Sequence, residues 1–411
     1  MKKNAIVGQS GGPTSAINAT LAGVVSGALE APFIDKIYGA LNGIEGILNE
    51  RLVDIGAQLS AGDALTILKQ TPAAALGSCR KKLPKLDDET GKETYEKIFD
   101  FFARYNIGYF FYIGGNDSMD TVAKLSAYAK ANQIEGISFV GVPKTIDNDL
   151  EGTSQTPGFG SAAKFIAATM QEILRDTSVY TVKAVTIVEI MGRDAGWLTA
   201  SAALPRLISD VSPDYVYLPE VVFDLDSFYT DIEKAFEKHP NVVIAVSEGV
   251  RFADGRYVGE GTQSGATDAF GHKYLQGTGK ALETLVKEHF GCKVRSVELN
   301  LPQRCAAHLL SANDITESFG AGKAAALNAI TASGCMICYE RSDNPYAITY
   351  RAKDVSEIAN KIRKVPAEFI TAEENNVTDA CLNYLLPLIQ GEYPIVYTNG
   401  LPKHFTVKKM F

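Results

Sequence analysis

The sequence predicts an α/β protein whose mostly parallel sheet is covered by helices on both faces, and three observations point there. Short apolar runs bounded by glycine recur along the 411 residues, they alternate with longer stretches of helical periodicity, and several runs give way abruptly to glycine and polar residues. The length suggests two or three lobes, each able to bury its own core.

The opening run Asn4 to Gly8 reads as the first strand, and the Ala/Leu/Val-rich stretch Ser15 to Leu29 as the helix behind it. Further strands are expected at Gly108 to Ile113, Ser138 to Val142, Ala184 to Ile190, Tyr215 to Leu218, Val242 to Val246, Lys293 to Leu299 and Ser333 to Tyr339. Helices are expected at Asp117 to Ala131, Ser161 to Asp176, Gly196 to Ala203 and Ser227 to Lys238. No internal repeat, low-complexity tract or linker interrupts the pattern.

The formal net charge is −8 and the pI about 5.3, so no overall field draws the chain to nucleic acid or an anionic membrane, and an anionic ligand needs a local positive site. No apolar stretch approaches the roughly 20 residues that span a bilayer. Six scattered cysteines and an opening strand without a secretory signal fit a reducing cytoplasm. Cys335 and Cys338 form a C-x-x-C inside an apolar run, which reads as buried strand because no second Cys or His pair lies at zinc spacing.

In open α/β sheets ligands sit at the carboxyl ends of strands, which directs attention to five junctions. The first, Gly8-Gln-Ser-Gly11-Gly12-Pro13-Thr14-Ser15, offers backbone N–H groups to an anion, although a tight turn explains it equally well. The second, Gly114-Gly115-Asn116-Asp117-Ser118, either caps a helix or admits a phosphate chain with Asn116 offering an oxygen to Mg²⁺. The third is the densest. Lys144-Thr145-Ile146-Asp147-Asn148-Asp149 places a lysine before two carboxylates at i and i+2, which a purely structural loop rarely needs. One carboxylate can take the proton of an attacking hydroxyl, another can help hold Mg²⁺, and Lys144 can neutralise a leaving phosphate.

The fourth junction, Glu189-Ile190-Met191-Gly192-Arg193-Asp194, ends a β-branched run in a cation just before Trp197; a capping Asp beside a solvated Arg is its plain alternative. The fifth combines Ser247-Glu248-Gly249 with Arg295 and Gln303-Arg304, a carboxylate for sugar hydroxyls and arginines for a sugar phosphate. A basic segment, Arg80-Lys81-Lys82, could reach a phosphate or be a solvated charge run.

Taken in order from Gly11 to Arg304, these residues resemble the phosphofructokinase family, with its glycine loop, G-G-N-D-S, T-I-D-N-D, M-G-R and Q-R. The resemblance implies two similar three-layer α/β/α lobes with mostly parallel sheets facing across an active-site cleft. A donor lobe would comprise 1–150 plus about 304–360, and a sugar phosphate lobe 151–303 plus about 361–411. It implies Asp147 as the base that activates the sugar 1-hydroxyl, with Lys144 and Asp117 beside it. Thr145, Asp147, Met191, Gly192, Arg193, Glu248, Arg295 and Arg304 would contact fructose 6-phosphate. Gly11, Arg80, Gly115 and Lys144 would hold the donor, with Asn116 and Asp149 on Mg²⁺. It further implies a homodimer or homotetramer in which a neighbouring subunit completes the sugar site.

Asp117 and Lys144 stand where ATP-using members carry glycines, so the resemblance is to the pyrophosphate-dependent fructose 6-phosphate 1-phosphotransferases. Physics agrees. A carboxylate about 4 Å from the α-phosphate of ATP costs on the order of 4 kcal/mol at an effective dielectric near 20, partly offset by Lys144 and Mg²⁺, whereas pyrophosphate has no third phosphate to meet it. An ATP-dependent 6-phosphofructokinase, the phosphate loop of an NAD or lipid kinase, and a non-catalytic sugar phosphate-binding regulatory subunit are the alternatives. The second lacks T-I-D-N-D and M-G-R, and the third would be expected to lose Asp147. Leu301 replaces a histidine common in ATP-type members, the subunit-crossing arginine before M-G-R falls near Lys183 or Ala184, and the stretch Gly265 to Gly279, with His272 and Lys273, has no derivable role.

Overall fold

The computed structural model describes residues 2–88, 91–208, 211–260 and 277–408. Two sheets organise them. The larger has seven strands, β1 (Lys3–Gln9), β2 (Ile34–Ala40), β3 (Leu52–Asp54), β4 (Ile107–Gly114), β5 (Ser138–Pro143), β10 (Cys335–Asp343) and β11 (Tyr346–Asp354), ordered β11-β10-β5-β4-β1-β2-β3. The smaller has four, β6 (Ala184–Ile190), β7 (Tyr215–Tyr217), β8 (Asn241–Ser247) and β9 (Lys293–Glu298), ordered β7-β8-β6-β9 and parallel throughout. Within these two sheets antiparallel pairing is confined to the edges of the larger, β2 with β3 and β10 with β11, and a separate two-residue antiparallel pair joins Tyr397–Thr398 to Leu401–Pro402. The two α/β lobes are thus unequal in strand number.

Strand alternation explains why both faces need helices. Val7, Phe111 and Val140 point to one side, into a core shared with the helices Ile17–Glu30 and Ala312–Leu327, while Ile6, Phe110 and Phe139 point to the other, against Lys92–Arg104 and Asn116–Ala131. In the second lobe Val188 and Ile190 face the helix Phe159–Thr177, and Val185 and Ile187 face Leu225–Phe236 and Thr278–Phe290. The helices Ile17–Glu30 and Ala312–Leu327 approach so closely that a Cβ on Gly23 would lie 2.0 Å from the Phe319 carbonyl oxygen, and one on Gly322 2.1 Å from that of Thr20.

Every strand expected from the sequence is present within a few residues, whereas β2, β3, β11 and the two-residue strands Tyr397–Thr398 and Leu401–Pro402 have no counterpart among those expectations. The stretch expected as helix over Gly196 to Ala203 divides into a short helix, Trp197–Ala200, and a 3₁₀ segment, Ser201–Leu207, that contains Pro205. The tail also departs from expectation. Residues 361–389 pack mainly on the second lobe, but Val407 lies in the first lobe's core, and Gln70 binds the Val396 and Lys403 carbonyls at 2.9 and 2.7 Å. Cys338 is buried on β10 with Cys335 half-buried beside it, and all six cysteines are free. Among the described residues no helix is long and apolar enough to cross a membrane.

Candidate active site

Strands β1, β4 and β5 of one sheet and β6, β8 and β9 of the other all direct their carboxyl ends into one cavity of about 670 Å³. Each junction singled out in the sequence opens onto it. Lining residues include Gly11 and Gly12 after β1, Gly115, Asn116 and Asp117 after β4, Lys144, Thr145, Asp147 and Asp149 after β5, Met191 and Arg193 after β6, and Glu248 after β8. Arg304 enters after β9. Arg80 and Lys82 come from the basic segment, and for those two side chains the choice between ligand-facing and solvated falls to the cavity.

Lys144 is only 3% exposed and donates to the Gly12 carbonyl at 2.7 Å. Burial pulls its ammonium down to about 8 against the opposing pull of Asp147 and Asp149. Gly11, with φ +78°, leaves just enough room: a Cβ there would lie 3.1 Å from the Lys144 ammonium nitrogen. The lysine is therefore aimed at the glycine loop, where its charge is free to meet an incoming anion.

Beyond it the loop turns through Asn148, whose φ of +54° sets Asp147 and Asp149 on the cleft side. The Thr145 hydroxyl lies 3.3 Å from an Asp147 carboxylate oxygen and accepts the Asp147 N–H at 3.1 Å. Burial raises both aspartates, Asp147 in spite of Thr145, Lys144 and two arginines, and Asp149 to about 7 with Asp147 adding to the shift. Two carboxyls in one buried space with raised proton affinity suit general base work near neutrality.

Across the cavity, Gly192 adopts φ +140°, and a Cβ there would strike the Ala195 carbonyl oxygen at 2.6 Å; it shapes the turn rather than lining the cavity. Its N–H donates to Glu248 at 3.3 Å, and the Met191 N–H donates to Gln303 at 3.2 Å. Burial, the largest effect, and the nearby Asp147 and Glu189 push Glu248 up to about 8. Burial lowers Arg304, with the nearby Arg80 adding to the effect.

Asp117 does not cap the helix Asn116–Ala131, and neither does Ser118; Gly115 holds the cap position. The Asp117 carboxylate instead pairs with Lys82 at 3.0 Å. The Asn116 side-chain oxygen is buried without a hydrogen-bond partner. Among the described residues no three His, Cys, Asp or Glu side chains gather into a metal-ligating group. A hard cation here would have to share Asn116 and a carboxylate with ligand oxygens, the arrangement Mg²⁺ favours.

Arg295 is the exception. It lies on β9 three residues before Glu298, about 10 Å back along the strand from the cleft end. Its side chain is 52% exposed, sits 3.9 Å from Asp176 and lines a separate small hollow with Tyr180 and Lys293. The sugar contact expected of it is therefore not made within its own chain. Leu301 does line the cavity, 52% exposed, and residues 265–276, with His272 and Lys273, lie outside the described residues.

Sequence reasoning gave no role to Glu189, Gln303 or Arg363. Glu189 is 5% exposed, lines the cavity and accepts the Gly279 N–H at 2.6 Å; burial, with Glu298 nearby, raises it to about 7. Only its position at a strand's carboxyl end marked it in the sequence.

A family model described as Phosphofructokinase matches residues 4–327. The chain belongs to the phosphofructokinase family. This phosphofructokinase-family chain is 38% identical over 410 residues to the pyrophosphate–fructose 6-phosphate 1-phosphotransferase of Methylococcus capsulatus, covering 98% of this chain and 96% of the relative. It is 39% identical over 412 residues to the protein of the same name from Xanthomonas campestris, covering 99% and 96%. The crystal structure of a pyrophosphate-dependent phosphofructokinase from Nitrosospira multiformis superposes with a TM-score of 0.88 at 35% identity, covering 99% of this chain and 97% of that one.

Proposed function

We propose that this chain is a pyrophosphate-dependent phosphofructokinase that reversibly transfers a phosphoryl group from pyrophosphate to the 1-hydroxyl of D-fructose 6-phosphate, giving fructose 1,6-bisphosphate and phosphate. The observation that carries the reading is that Asp117 and buried Lys144 both line the donor side of a cleft whose far wall holds Glu248, Arg193 and Arg304. These place anion-binding charge at both ends and a carboxyl between them.

Asp147 takes the proton from the sugar O1 as O1 bonds to the terminal phosphorus, and the bridging P–O bond breaks with its electron pair leaving on orthophosphate. Lys144 sits where the charge on that leaving group grows, in a buried site where its electrostatic effect is large. Thr145 holds the Asp147 carboxylate in place. Asn116 and Asp149 would hold Mg²⁺, which neutralises pyrophosphate charge when bound. The pyrophosphate bond and the product ester have similar energies, so the same groups serve the reverse direction with Asp147 returning its proton.

Arg295 fits a homodimer or homotetramer, in which it reaches a neighbour's sugar phosphate rather than its own. The setting is cytoplasmic glycolysis. The test is the initial rate of fructose 1,6-bisphosphate formation with Mg²⁺ and equal concentrations of pyrophosphate or ATP. Turnover with pyrophosphate alone is expected; a faster rate with ATP overturns the donor assignment.

A further inference from the structure

The stretch that ties the two halves of the cleft together lies outside the residues matched by the family model. Residues 363–365 run between the loop after β5 and the turn after β6, bonding to both. The Arg363 N–H donates to the Asp149 carbonyl at 2.8 Å, and its own carbonyl accepts the Trp197 indole N–H at 3.0 Å. Two residues on, the Val365 N–H shares one Glu220 oxygen with the Gly196 N–H, both at 2.9 Å.

The Arg363 side chain repeats the connection. Its guanidinium lies 4.4 Å from the Trp197 ring centre, donates to the Tyr384 hydroxyl at 2.9 Å and reaches the Asn148 carbonyl at 3.4 Å. Asn148 is the left-handed residue between the two cleft aspartates; it is fully buried, and neither polar atom of its side chain has a hydrogen-bond partner. Its conformation is therefore not held by its own side chain, and the contacts that hold it come through its carbonyl and its neighbour's.

Resting on the pyrophosphate-dependent reading above, we infer that Arg363 is a positioning residue that fixes the Asp147–Asp149 loop relative to the Met191–Trp197 turn, so that base and sugar meet in register. It does not line the cavity. A loop displaced by an ångström costs on the order of a hundredfold in turnover while leaving the binding contacts in place.

The experiment compares wild type with Arg363→Met, which keeps a long side chain on Trp197 but removes every side-chain donor while leaving the backbone bonds, and with Tyr384→Phe, a milder variant that serves if the first does not fold. Fructose 6-phosphate binding without turnover is read by isothermal titration calorimetry, and Trp197, the single tryptophan of the chain, serves as a probe of the turn it ends. The expected result is kcat lowered by about tenfold to a hundredfold in Arg363→Met, and severalfold in Tyr384→Phe, with the calorimetric sugar Kd nearly unchanged. A kcat close to wild type in both variants, or a loss carried by the sugar Kd, overturns the inference. Failure of the wild type to use pyrophosphate is a separate result that sinks the proposed function. The tether is then judged by orthophosphate: it should alter Trp197 emission in wild type and not in Arg363→Met, and identical responses overturn it.

Discussion

At the scale of single residues, the cleft gathers charges of both signs, several of its buried groups are held away from their ordinary proton affinities, and individual side chains have measurable consequences. Asp147→Ser should lower kcat by about 10²- to 10⁴-fold, the usual worth of a positioned base, with fructose 6-phosphate affinity nearly retained; single-turnover and binding measurements separate the two. Asp117→Gly removes the carboxylate paired with Lys82, and ATP should then inhibit pyrophosphate turnover competitively, with no such inhibition expected in wild type. Glu189 gives a pH signature. Its folded-state affinity for protons is raised from 4.5 to about 7, so its stabilising contribution is complete below about 4.5 and lost as pH rises through 7. Relative to Glu189→Gln, wild type should lose on the order of 3 kcal/mol between pH 4.5 and 8, read from urea midpoints at the two pH values. An unchanged difference would remove the burial account. Sequence reading found Asp147 and Lys144 because their loop is chemically expensive for a turn. It missed Arg363 because Lys361-Ile-Arg-Lys364 looks like an ordinary solvated charge run, and nothing local announces the Trp197 ring against which it stacks.

At the scale of elements, the helices Ile17–Glu30 and Ala312–Leu327 meet through glycines, with backbone where side chains would otherwise be. Gly23→Ala should cost about 2 kcal/mol or more, since the added methyl meets the Phe319 carbonyl and not a movable side chain. A denaturant midpoint indistinguishable from wild type would mean that the helices slide apart freely. The strands that were legible, such as Ser138–Pro143, are apolar on both faces because helices cover both. β2 was not legible because its sequence Ile-Asp-Lys-Ile-Tyr-Gly-Ala puts two exposed charges side by side and breaks the alternation. β11 alternates well, yet lies at an exposed edge where nothing upstream or downstream in the sequence signals a partner.

At the scale of the whole molecule, the cleft belongs to two sheets, and the outward placement of Arg295 extends the question to a second copy of the chain. If a neighbour's site uses Arg295, then mixing inactive Asp147→Ser chains with Arg295→Ala chains should restore activity, because one site of each hybrid pair regains both groups. No recovery after subunit exchange would confine the site to one chain. The path of the chain carries a separate implication for its birth on the ribosome. The larger sheet is left unfinished at β5, the entire smaller sheet is threaded next, and only then do β10 and β11 return to close the open edge beside Val140 and Gly141. Roughly 190 residues intervene, which at about 5–20 residues per second is on the order of 10 to 40 s of translation with an unpaired apolar strand edge. Nascent chains stalled before Cys335 should therefore be the ones that chaperones hold and that aggregate when released, whereas chains extended past Asp354 can seal the sheet.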